Sequence, residues 1–104
     1  MSITFWVGES AQQLPAGVAA RLEAQLRLAA AGMRGNVDTD AAHTVADAID
    51  ARLTHATRDP ILVRDAAQLD ALFAVLNAVV HEHASAAMEM YRAVAEARSG
   101  KTRP

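Results

Sequence analysis

Cysteine is absent from the 104 residues, so disulfides, thiolate nucleophiles and thiolate metal sites are excluded. Aromatic residues make up 4%, which leaves Phe5, Trp6, Phe73 and Tyr91 as the large ring anchors. Charge of one sign is also lacking. The formal net charge of -2 gives no electrostatic reason to expect nucleic acid as a partner. No apolar run approaches the roughly 20 residues of a membrane span, and the N-terminus lacks the basic then apolar order of a signal peptide. A bacterial-type cytoplasmic protein with no membrane partner is the expectation.

The hydrophobic fraction is 52%, but much of it is alanine, which favours helix and buries little area. A chain of this length makes one domain, here 1–104, with a thin core that would gain from self-association. No internal repeat stands out.

The strongest pattern lies in the last third. Residues 65–98 contain no Gly and no Pro. Their apolar positions Leu69, Phe73, Leu76, Val80, His83, Ala87, Met90 and Val94 alternate steps of four and three, a heptad seam with one histidine in it. One helix of that length would span roughly 50 Å, against roughly 33 Å for a compact globule of this size. Either it breaks near the polar step from Asn77 to Ser85, or a second copy covers the excess. The expectation is a long C-terminal helix over 65–98 that forms a homodimer through Leu69, Phe73, Leu76, Val80, His83, Met90 and Val94.

Earlier in the chain, residues 2–7 (Ser-Ile-Thr-Phe-Trp-Val) are β-branched and aromatic and stop at Gly8. They predict a strand with Ile3, Phe5 and Val7 on one face. Its partner would be Ile61-Leu62-Val63 or the same strand of a second copy. Ser10 and Gln13 have capping-box spacing, yet Pro15 would fall inside the helix they start, so the first helix is placed at 15–31. Gly32 stops it, and Gly35-Asn36 marks a turn. Asp38 or Thr39 caps a second helix over 39–57, with Ala42, Val45, Ala46, Ile49, Leu53 and Ala56 inward. Asp59-Pro60 ends that segment. Asp65 caps the long helix, and 99–104 reads as a basic flexible tail. The fold class is mainly α: three helices and an N-terminal β-like segment, dimeric.

Chemistry is thinly marked. His81-Glu82-His83 would share a face on a strand, but on a helix the two histidines sit about 200° apart. Neither has a Glu three residues before it, as a di-iron bundle needs. His83 on a buried seam would make a pH-sensitive interface. His43, Asp47 and Asp50 share one face of the second helix, where a carboxylate beside an imidazole could orient a general base or a cation. The same positions are the polar side of an amphipathic helix. Arg52, His55, Arg58 and Asp59 near its end complement the helix dipole. Met88, Met90 and Tyr91 read as core positions rather than a haem pocket, and no cofactor is expected.

Trp6-Val7-Gly8 matches the Trp-x-Gly pattern of a family of small secreted helical-hairpin dimers. There the motif lies in the turn between two long helices, and Tyr91 here is followed four residues later by Ala95 rather than an acid. The resemblance stops at three residues. The sequence favours a small non-enzymatic interaction or regulatory module working as a homodimer, with a further protein partner it does not identify. The alternative is a metal-binding protein or small enzyme using His43, Asp47, His81 and His83.

Overall fold

The computed structural model describes residues 1–32, 37–55 and 59–99. Met33, the Gly35-Asn36 turn, Ala56, Thr57, Arg58 and the basic tail beyond Ser99 lie outside the described residues.

Strand β1 (Ser2–Val7) is followed by β2 (Ser10–Pro15). The two form an antiparallel hairpin in which Val7 faces Ser10, so Gly8 and Glu9 are its whole turn. Gly8 has φ +61, a conformation glycine adopts without cost and the first position of such turns favours. The capping-box spacing of Ser10 and Gln13 starts no helix, and the hairpin claims those residues instead. Pairing beside β1 satisfies the backbone of the whole segment, which a capping box would not. Helix α1 (Ala16–Ala30) then begins with Pro15 as its N-cap and ends ahead of Gly32, whose φ is +83.

Helix α2 (Thr39–His55) starts where the Asp38 carboxylate accepts from the Ala41 amide at 2.9 Å. Strand β3 (Ile61–Val63) joins β1 in parallel, Phe5 opposite Ile61 and Val7 opposite Val63, giving the order β2-β1-β3. The partner of β1 is thus within the chain. Asp65 caps helix α3 (Ala66–Glu82) by accepting from the Ala67 amide at 2.9 Å, worth about 1 kcal/mol.

The expected long helix over 65–98 is two, broken inside the polar step from Asn77 to Ser85. It ends at Glu82, leaves His83 at φ -135 and ψ 56, and resumes as α4 (Ala84–Ser99). The described residues therefore form four helices with a three-stranded sheet, not three helices with a lone β-like segment. Helix α4 folds back along α3, since Asp70 meets Arg98 at 2.7 Å and Phe73 stacks on Tyr91 with centroids 5.3 Å apart. A straight helix over both would exceed the 39 Å long axis of the molecule. Doubling back removes the mismatch and buries Ala87, Met90 and Val94 against the rest of the core.

Ile3, Phe5, Val7 and Leu14 supply the sheet side of that core, and Leu22, Leu26, Ile49, Leu72 and Leu76 the helical side, all at most 1% exposed. The other sheet face carries Thr4, Trp6, Ala11, Gln13 and Leu62, which are half-buried or exposed. No helix among the described residues is long and apolar enough to cross a membrane.

Candidate functional site

A cavity of about 640 Å³ opens where four elements converge. The hairpin brings Trp6, Val7, Gly8, Glu9 and Ser10, the end of β3 brings Arg64, α3 brings Leu69, and α4 brings Ala93, Glu96 and Ala97. The β1–β3 ladder holds this end of the sheet together, and the Gly8 amide donates to the Val63 carbonyl at 3.3 Å. Asp65 starts α3 directly after Arg64, which fixes Leu69 one turn inside. The alternation of β1 points Val7 inward, where it is 1% exposed.

The lining is aliphatic and small along Val7, Leu69, Ala93 and Ala97, with one guanidinium (Arg64) and two carboxylates (Glu9, Glu96) around it. Arg64 and Glu9 are exposed and make no ion pair among the described residues. The volume falls within the range of about 300–1,000 Å³ usual for ligand sites. Such a lining can hold an apolar group flanked by charge.

The residues singled out from sequence are spread over other surfaces. His43 and Asp50 are exposed on α2. Asp47 accepts from the Arg27 guanidinium at 3.1 Å, and Arg27 also bonds Glu23 at 3.0 Å. Those hydrogen bonds, donated to Glu23 first and Asp47 second, raise the Arg27 pKa above its ordinary value. Arg27 thus bridges α1 to α2, and Asp47 serves that bridge rather than His43. Arg52 reaches back to the carbonyls of Asp59 at 3.1 Å and Pro60 at 3.3 Å, tying α2 to the connection before β3.

His81 and His83 are both exposed. Between them, Glu82 forms a two-pronged pair with Arg21 at 2.8 and 2.9 Å. The hydrogen bond from Arg21 holds the Glu82 carboxyl below the usual carboxylate range. Among the described residues no three His, Cys, Asp or Glu side chains are grouped to hold a metal ion.

Of the expected dimer seam, Leu69, Leu76, Met90 and Val94 are buried in the chain's own core, Phe73 and Val80 are half-buried, and His83 is exposed at the corner. Within one chain, then, His83 is not buried. Arg98 lies 4.2 Å above the Phe73 ring while bonding Asp70, so a cation, two rings and a carboxylate clasp α3 to α4.

Sequence reasoning missed the cavity. Its walls come from four separate elements, and its one readable signal was the strand ending at Gly8, which a two-residue hairpin would use. Comparison with protein-family models, with curated proteins and with solved structures finds no match for this chain.

Proposed function

We propose that the protein is a small non-enzymatic interaction module that works as a homodimer and holds a segment of a partner protein in the cavity between the hairpin, β3, α3 and α4. The observation that carries this reading is the lining of that cavity, aliphatic along Val7, Leu69, Ala93 and Ala97 and charged at Glu9, Arg64 and Glu96. It suits an apolar side chain with charged neighbours, as a peptide presents it. Leu62, 56% exposed on β3 and paired with Trp6 of the lining, extends the apolar surface beyond the cavity. The thin alanine-rich core supports self-association.

Two measurements test the reading. Sedimentation between about 1 and 100 μM should give twice the chain mass. Methyl-labelled protein titrated with short peptides that alternate apolar and charged residues should show shifts at Val7, Leu69, Ala93 and Ala97 and none at Leu26 or Ile49. A monomer at every concentration, with no peptide shifting the cavity methyls, would sink it.

A further inference from the structure

The corner between α3 and α4 is one residue long. His83 alone leaves helical geometry, yet it is neither glycine nor proline, and Ala66 to Ser99 contains neither. The His83 amide donates to the Val79 carbonyl, while the Ala86 and Ala87 amides both turn to the His83 carbonyl. A continuous helix would instead pair Ala84 with Val80, Ser85 with His81 and Ala86 with Glu82. Nothing in the residue types prevents that.

The α3–α4 contacts are arranged about this corner. Asp70 pairs with Arg98, and Phe73 stacks on Tyr91. The sequence midpoints of these pairs, 84 and 82, bracket His83. Two straight α3–α4 helices running antiparallel, with a two-fold axis at His83, would therefore form the same pairs between chains that each chain now forms alone. Such an exchange closes with two copies.

The geometry points to a second copy of this chain as the partner, with α4 exchanged between subunits by straightening at His83. This rests on the homodimer reading and gives it a structure. The seam from Leu69 to Val94 then serves between copies with its contacts unchanged. The cavity becomes composite, because Ala93, Glu96 and Ala97 reach the hairpin and Arg64 from the other subunit. Since the exchanged contacts are the same ones, the balance between one chain and two depends on the hinge and the concentration. One-residue hinges between packed elements favour this kind of exchange.

The absence of native cysteine makes a covalent test clean. A Cβ on Gly8 would lie 3.5 Å from that of Ala97, inside the disulfide range of about 3.5–4.5 Å. Gly8→Cys/Ala97→Cys protein is refolded at high concentration, separated by size and oxidised. The expected result is a dimer fraction whose disulfides join two chains on a non-reducing gel. A dimer whose disulfides stay within one chain overturns the exchange and leaves the homodimer standing. Only monomer overturns both.

Because Gly8 has positive φ and the substitution can impair folding, Asp70→Cys/Arg98→Cys with a short thiol-to-thiol crosslinker asks the same question from exposed positions. Hinge variants supply a second readout in otherwise native protein. Ala84→Pro fits the first turn of α4 but not a helix interior, and should weaken the dimer by about a hundredfold or more. His83→Leu should strengthen it. Equal dimer fractions in the two variants overturn the proposal.

Discussion

The two helical pairs of this protein reverse direction in different ways. Between α1 and α2, Gly32 takes φ +83 and Asp38 caps the next helix. Between α3 and α4 a histidine in the polar step from Asn77 to Ser85 does the work alone, with neither glycine nor proline to mark the stop. In the first pair the stop is local chemistry. In the second, the chain turns because α4 finds an apolar surface there to cover, and the corner forms wherever that packing requires it. A corner of the second kind gives little resistance to straightening.

The sharpest way to break the comparison is to weaken each pair at its core. Leu26→Ala in α1 and Met90→Ala in α4 remove fully buried side chains and should each cost about 2–5 kcal/mol, read from urea unfolding. They should differ in amide exchange. Met90→Ala is expected to speed exchange in α4 well beyond its effect on α1, because α4 can lift off as a unit, whereas Leu26→Ala should raise exchange throughout. Equal patterns would mean that α4 has no independent mobility.

The stops come next. Gly32→Ala places a Cβ on a left-handed residue and should cost about 1 kcal/mol, while His83→Ala should change stability by less than about half that. Thermal melts of the two at low concentration decide it. A larger loss at His83 would show that the second corner is locally encoded after all.

A gain of similar size is expected at Gln25. This side chain is 3% exposed in α1, and its Oε1 is buried without a hydrogen-bond partner among the described residues. Gln25→Leu should raise stability by about 1 kcal/mol. A loss instead would show that the amide has a partner, such as an ordered water, that the apolar side chain cannot keep.

The smallest effect concerns the pair that ties the two halves together. Glu82 at the end of α3 is held below its ordinary pKa by Arg21 of α1. With the folded value lowered, the unfolded chain binds the proton more readily. The contribution is therefore complete above the unfolded value near 4.3 and disappears as pH falls through the folded one. Both side chains are largely in water, so the effect should be slight. Urea midpoints between pH 3 and 6 should fall marginally more steeply in the parent than in Arg21→Gln, and identical slopes would show that the pair contributes nothing.

The sequence by itself determined those parts whose signal lies within a few residues. The alternation of Ile3, Phe5 and Val7 set which face of β1 is buried, Pro15 and Gly32 bounded α1, Asp59-Pro60 preceded β3, and Asp65 began α3. Each is local sterics or a hydrogen bond to a near neighbour, and local rules read it.

Tertiary structure decided the rest. Ser-Ala-Gln-Gln-Leu-Pro has no β-branched residue and becomes β2 only because β1 lies beside it to pair with. His83 becomes a corner because the burial of Ala87, Met90 and Val94 outweighs three helical hydrogen bonds that water can replace. The cavity exists only where hairpin, β3, α3 and α4 meet, and contacts between residues as far apart as Gly8 and Ala97 have no period or spacing from which to be read.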